Sequence, residues 1–311
     1  MLEALFLLLV GLSLLILGSN FLITSTECFS KYFSTSGFIA SFFLIGIATS
    51  APEIFISAEA ALENETILAI GNTIGSNISN IALVFCISIF FLDESNKLMT
   101  LPTKTFLGSL SLTLVAFFLM YFDEFFDAMD SLILLLIFIT ILLTLDKVED
   151  EPQKQNLDNK SKTTLLKIIT YAPIGLIMLV YGSDLFIDGA SQIALLFGIS
   201  SYVIGLTLTA LGTSLPELSA SIQSAKKGRA DFIIGNIIGS NVFNIGIALS
   251  VAGLLSPAHL NPNHLLRDIL VLIVSMFIFY VIIKSEHIFI KTVYSTLLVI
   301  TYFVYIIMIL R

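Results

Sequence analysis

Ten apolar runs, each close to the roughly 20 residues that a helix needs to cross hydrocarbon, constrain this 311-residue chain more than any other feature. Their approximate limits are residues 2–27, 36–62, 66–92, 104–122, 128–146, 166–195, 200–225, 231–255, 266–284 and 288–310. They lack the ~10-residue polar–apolar alternation of a transmembrane β-barrel, so the expected fold class is an all-α integral membrane protein with ten transmembrane helices. Only 12% of the residues are charged, against roughly 25% in soluble domains, which excludes an ordinary soluble domain and a disordered chain. The first run has no basic leader and carries Glu3, so it reads as a retained helix and not as a cleaved signal peptide. Cys28 and Cys86 both lie in apolar segments and read as buried thiols.

The basic residues set the expected orientation. Lys31, Lys97, Lys104, Lys147, Lys154, Lys160, Lys162, Lys167, Lys226, Lys227, Arg229, Lys284 and Lys291 fall on one side of the ten-span plan, and only Arg267 and Arg311 on the other. Lys and Arg collect on the cytoplasmic side, so both termini are expected outside a cytoplasmic membrane. The long polar connection, Lys147 to Thr163, holds one proline and no glycine; it reads as a solvated cytoplasmic tether. The acidic stretch "YFDEFFDAMD", Tyr121 to Asp130, reads as a solvated outward loop, and Glu27 as an i,i+4 partner of Lys31. His259, His264 and His287 sit near span ends and read as surface residues, and Asp184 and Asp188 share one face of the sixth helix, lining a vestibule or facing water.

The chain is also duplicated. Shifted by 164 positions it aligns on itself without a gap, and fifteen of the thirty-six residues from Gly46 to Ile81 are identical to their partners. "GNTIGSN" (Gly71 to Asn77) falls on "GNIIGSN" (Gly235 to Asn241), and Pro52-Glu53 falls on Pro216-Glu217. Five spans per copy is odd, so the second copy enters the membrane from the opposite side. The acidic "LENE" from Leu62 to Glu65 accordingly aligns with the basic "KKGR" from Lys226 to Arg229. Residues 1–146 and 164–311 thus read as two inverted five-helix repeats joined by the linker 147–163, an arrangement typical of secondary transporters whose sites lie at mid-membrane.

Each repeat carries polar chemistry in two spans. "GIATSAPE" (Gly46 to Glu53) and "ALGTSLPE" (Ala210 to Glu217) put a proline inside a membrane helix. Proline donates no backbone hydrogen bond, and freed carbonyls around Gly46 to Ala48 and Ala210 to Gly212 are good ligands for hard cations. Thr49 and Ser50 lie four and three positions before Glu53 on one helical face, as Thr213 and Ser214 do before Glu217. A centred acid costs about 2.5–3.5 kcal/mol on the lenient insertion scale, and no Lys or Arg occupies the middle of a span to offset it. Ser76 with Asn80, and Ser240 with Asn244, add hydroxyls and amides, while Gly71/Gly75 and Gly235/Gly239 permit close helix approach. With no His or Cys in these motifs the site is all-oxygen, which suits Ca²⁺ and Na⁺ and not zinc or copper.

At these residues the chain resembles the sodium/calcium exchangers of the calcium/cation antiporter superfamily, and its short linker is similar to that of prokaryotic members. The resemblance implies that Glu53 and Glu217 are the principal carboxylates, shared by Ca²⁺ and Na⁺. Thr49, Ser50, Thr213 and Ser214 then give oxygens to flanking Na⁺ sites, Gly46 and Ala210 give carbonyls, and Ser76, Asn80, Ser240 and Asn244 complete the cavity. It further implies that helices one and six, with Gly18-Ser19 and Gly182-Ser183, slide past this core to alternate access. The chain departs from the usual family pattern with Ala48 and Ala51 in place of Gly and Leu, and carries Asn at both 80 and 244 where some relatives carry Asp.

The function expected is therefore a secondary antiporter that exchanges Na⁺ for Ca²⁺. The alternatives are a proton-coupled cation antiporter, which usually carries a glutamate in the third and eighth helices, and a cation channel. No enzyme chemistry, cofactor, nucleic acid or obligate protein partner is expected. The partners are inorganic cations and the lipid bilayer.

Overall fold

The computed structural model describes residues 1–92, 102–145, 162–199, 212–285 and 287–309. These are helical almost throughout: α1 Leu2–Phe33, α2 Gly37–Leu62, α3 Thr66–Phe90, α4 Thr103–Phe122, α5 Ala128–Leu143, α6 Lys162–Leu196, α7 Leu215–Lys226, α8 Ala230–Leu255, α9 Pro262–Lys284 and α10 Ile288–Ile309. Eight are long and apolar enough to cross a membrane, α5 is shorter, and α7 is the described part of the seventh expected span. α1 and α6 extend beyond their apolar runs, because nothing in the sequence stops α1 before Ser34, whose left-handed backbone (φ 52°) closes it. Loops are short and capped: the Ser36 hydroxyl accepts from the Ile39 N–H at 3.1 Å, and Asp127 forms a capping box with Asp130.

The duplication seen in the sequence extends to backbone detail. Left-handed residues recur 164 apart, Ser34 with Gly198 and Asn64 (φ 67°) with Gly228 (φ 68°). α3 and α8 each contain a π-helical turn, at Asn80–Phe85 and Asn244–Leu249, again 164 apart. π-turns concentrate at functional sites, where they rotate the side chains of one face relative to the turns before it.

α3 and α8 are the most enclosed helices, with 83% of their apolar windows buried against 17% for α6. Phe38 and Phe42 of α2 pack with Ile74, Ile78, Phe85, Phe243 and Phe279 into the main core, which α4, α5, α9 and α10 cover. Glycines set the closest approaches, since apolar burial alone does not drive helices together in lipid. A methyl on Gly239 would stand 2.6 Å from the Phe42 carbonyl oxygen, so α2 and α8 touch backbone to backbone. α1 and α6 cross on a two-fold set: a methyl on Gly11 would lie 2.7 Å from the Gly182 carbonyl, and one on Gly175 2.8 Å from the Gly18 carbonyl.

Contacts at the two ends join loops that the ten-span plan puts on the same side. At one end Thr66 donates to the Ser256 carbonyl (2.8 Å), Ser256 donates to the Asn64 side-chain carbonyl (3.3 Å), and strand β1 (Phe125–Phe126) pairs antiparallel with β2 (Ala258–His259). This pairing corrects the expectation of a plain solvated loop over Tyr121 to Asp130: Phe126 is fully buried, and its apolar ring draws the strand onto the core. At the other end Glu27 pairs with Arg229 (3.9 Å), not with Lys31 as its spacing suggests, because α8 brings a guanidinium across the helix boundary. Arg229 is itself held by Asp231 at 2.9 and 2.6 Å.

Candidate cation-binding site

The polar residues of both repeats converge where α2, α3, α7 and α8 meet. Glu53 and Glu217 are fully buried, and none of their four carboxyl oxygens has a hydrogen-bond partner. Ser76 lies in the electrostatic neighbourhood of Glu53, while Thr49 and Glu53 itself lie in that of Glu217, so the two carboxyls face a common space. The Ser50 and Ser214 hydroxyls and the Asn80 and Asn244 side-chain carbonyls are also buried without partners. Every one of these orphaned atoms has a counterpart 164 positions away. Native interiors leave few polar groups unpaired, and a symmetric cluster of unpaired acceptors calls for a cation.

Neighbouring amides hold the frame in the same two-fold fashion. The Asn72 amide donates to the Glu53 backbone carbonyl (3.4 Å) and the Ser57 hydroxyl (3.2 Å), and the Asn236 amide to the Glu217 carbonyl (3.3 Å) and the Ser221 hydroxyl (2.9 Å). Across the repeat interface the Asn77 amide donates to the Asn241 backbone carbonyl (3.1 Å), and the Asn241 amide to that of Asn77 (3.3 Å). The Asn80 and Asn244 amides then donate to the side-chain carbonyls of Asn241 and Asn77 at 3.1 and 3.0 Å, which leaves their own side-chain carbonyls free for the centre. Asn77 and Asn241 close the two repeated heptapeptides, and neither has a ligand role in the sequence reading. Their role is to brace the repeats against each other, and their invariance under the 164-residue shift was the available signal.

Not all the expected ligands are equivalent. Thr49 is spent on structure: its hydroxyl lies 3.0 Å from the Ile45 carbonyl, 3.0 Å from the Asn236 side-chain carbonyl and 3.2 Å from the Ser240 hydroxyl. Ser240 also reaches the Gly46 carbonyl at 3.5 Å. Thr213 is half-buried and lines a cavity of about 60 Å³ together with Pro52, Ile56, Ser183, Asp184, Gly212 and Pro216. Asp184 therefore faces this cavity, which is lined by residues from the half of α2 that leads to Glu63. Ala210 lies outside the described residues.

One expectation is corrected. Both proline motifs predict interrupted helices, yet α2 runs unbroken through Pro52, and only the second copy departs from the helix at 213–214 before α7 starts at Leu215. The residue four before the proline makes the second copy the readier of the two to yield. It is Ala48 in the first copy, the best helix former, and Gly212 in the second, about 1 kcal/mol worse.

A profile described as "Sodium/calcium exchanger protein" matches residues 3–145 and 168–311. The chain belongs to the sodium/calcium exchanger family. It is a multi-pass membrane antiporter of Na⁺ and Ca²⁺, not an enzyme. Among relatives, it is 35% identical over 268 residues to the uncharacterized membrane protein MJ0091 of Methanocaldococcus jannaschii, covering 85% of each chain. It is 45% identical over 108 residues to the sodium/calcium exchanger MaX1 of Methanosarcina acetivorans, covering 35% of this chain and 31% of that one. The solved structure of the sodium-calcium exchanger NCX_Mj soaked with 10 mM Na⁺ and zero Ca²⁺ matches with a TM-score of 0.82, at 31% identity over 97% of each chain.

Proposed function

We propose that this exchanger works by alternating access around a single central site in which Glu53 and Glu217 hold either one Ca²⁺ or Na⁺ ions. The two carboxylates carry two negative charges, which one divalent or two monovalent cations balance. Ser50, Ser214, Ser76 and the Asn80 and Asn244 side-chain carbonyls supply neutral oxygens. Thr213 serves a flanking Na⁺ position beside the cavity, to which the Ala210 carbonyl is a further ligand from outside the described residues, while Thr49, Ser240 and Gly46 form its closed counterpart. The observation that carries this reading is the two-fold set of buried, partnerless oxygens around the two carboxylates.

The repeats, 1–146 and 164–311 with the linker 147–163 between them, lie inverted in the cytoplasmic membrane, with both termini and the cavity end outside. The thirteen-to-two division of Lys and Arg supports this orientation, as do the contacts among same-side loops. The Na⁺ gradient then drives Ca²⁺ out of the cell. The bilayer and the transported cations are the only partners the function requires.

The test is Ca²⁺ uptake into vesicles loaded with Na⁺ and diluted into Na⁺-free buffer, repeated with a pH gradient and no Na⁺. Uptake driven by the outward Na⁺ gradient is expected. Uptake that follows only the pH gradient contradicts sodium coupling, and Ca²⁺ flux with no counter-ion contradicts antiport.

A further inference from the structure

α1 and α6 contact each other with two-fold symmetry, but their hydroxyl contacts with the core are not symmetric. The Ser183 hydroxyl of α6 donates to the Gly212 carbonyl at 2.7 Å. Gly212 stands four before Pro216, so this is the carbonyl that proline deprives of its helical donor. The equivalent of Ser183 is Ser19 of α1, and the equivalent carbonyl is that of Ala48, four before Pro52. Ser19 is engaged elsewhere. Its hydroxyl donates back to the Leu15 carbonyl of its own helix at 2.5 Å and lies 2.6 Å from the Ser219 hydroxyl, which also reaches the Leu15 carbonyl at 2.9 Å.

The surroundings match this difference. Ser183, Asp184, Gly212 and Thr213 line the cavity. Three equivalent positions around Ser19 are more closed: Thr49, Ala220 and Ile23 are buried, whereas Thr213, Ile56 and Ile187 are half-buried on the cavity. One sequence unit is thus seen in two arrangements within one molecule, and duplication makes each half a guide to the other half's second state.

We propose that Ser19 and Ser183 are positioning residues that trade roles during transport. In the state with the cavity open, Ser183 caps the Gly212 carbonyl and Ser19 folds back on Leu15. In the opposite state Ser19 caps the Ala48 carbonyl, and Ser183 folds back on the carbonyl of Leu179, the equivalent of Leu15. One hydroxyl per half moves between a carbonyl of its own helix and a proline-freed carbonyl of the core, so in each end state the freed carbonyl of one half is capped at the face where α1 and α6 meet the core. Ser219 stabilises the present state only, because its equivalent is Phe55. This proposal rests on the alternating-access reading above.

The experiment introduces Ile56→Cys in the cavity wall of the full chain in proteoliposomes and measures labelling by a membrane-impermeant thiol reagent. The parent without that cysteine gives the background from Cys28 and Cys86. Ser183→Ala removes the cap in the open state and is expected to slow labelling about fivefold, the worth of one net hydrogen bond. Ser19→Ala is expected to speed it by a similar factor: Leu15 keeps the Ser219 donor in the present state, whereas the Ala48 carbonyl loses its cap in the other. Ser219→Ala is expected to slow labelling as Ser183→Ala does. Opposite signs for Ser183→Ala and Ser19→Ala support the exchange of roles. Equal signs, or no change in either, overturn it while leaving alternating access standing. If labelling in the Ile56→Cys protein does not change between Na⁺ and Ca²⁺, alternating access itself falls and the proposal with it.

Discussion

The segment from Ala48 to Pro52 and the segment from Gly212 to Pro216 descend from one pattern and are folded differently. The first is a continuous stretch of α2, buried from Ala48 to Ser50, with Thr49 tied to Asn236 and Ser240. The second breaks at 213–214 beside a cavity, with Thr213 half-buried and the exposed Asp184 facing it across from α6. The frame around them is nevertheless two-fold, down to left-handed loop residues and crossed asparagines. The difference teaches that two copies of one pattern take two conformations on a two-fold frame, which the alternating access proposed above reads as one state of a cycle. Among the described residues this difference lies where α1 and α6 meet the core, which is where the alternating access proposed above needs it.

The largest effect should come from the element that both halves share. Glu53→Gln and Glu217→Gln should each abolish Na⁺-driven Ca²⁺ uptake in proteoliposomes while the protein stays monodisperse in detergent, since neither carboxyl holds up the fold through a hydrogen bond. If one variant transports normally, the two halves are not equivalent at the centre. Next, Asn77→Ala and Asn241→Ala should destabilise the protein to similar extents, by about 2 kcal/mol each, because each strands an amide donor from the other repeat; thermal unfolding reads this. A strong effect from only one of them would show that the brace is not two-fold.

Smaller effects should follow the asymmetry. Gly182→Ala places a methyl 3.0 Å from the Gly11 carbonyl oxygen, and Gly18→Ala one 2.9 Å from that of Gly175, so each should slow exchange several-fold and by like amounts if α1 and α6 move as a pair. Asp184→Asn should raise the external Ca²⁺ concentration for half-maximal uptake by about two- to threefold at low salt, with less effect at high salt, as expected for an exposed carboxylate that attracts cations. The counterpart of Asp184 is Asn20, so Asn20→Asp is expected to leave external Ca²⁺ dependence unchanged.

Most of the scaffold was legible because membrane helices announce themselves by length and apolarity, and because a gapless 164-residue shift makes each half a check on the other. The paired carboxylates, hydroxyls and amides were legible for the same reason: buried polar groups in hydrocarbon stand out. What the pattern did not reveal depends on geometry between elements. The π-turns at Asn80 and Asn244 follow no propensity rule, and they were visible beforehand only as repeated Asn-Ile pairs. The unbroken α2 shows that a proline marks a weak point without deciding whether the helix yields; Ala48 against Gly212 tips that balance. The pairing of Glu27 with Arg229, and of Phe125–Phe126 with Ala258–His259, joins residues distant in sequence whose local spacing gave no sign of it.

The most direct test of the shared site is equilibrium binding of radioactive Ca²⁺ to the purified exchanger, with Na⁺ as competitor. The account predicts one Ca²⁺ per chain, displaced completely by Na⁺ with a steepness above one, and lost in both Glu53→Gln and Glu217→Gln. Ca²⁺ binding that survives in either variant, or that saturating Na⁺ fails to displace, would contradict it.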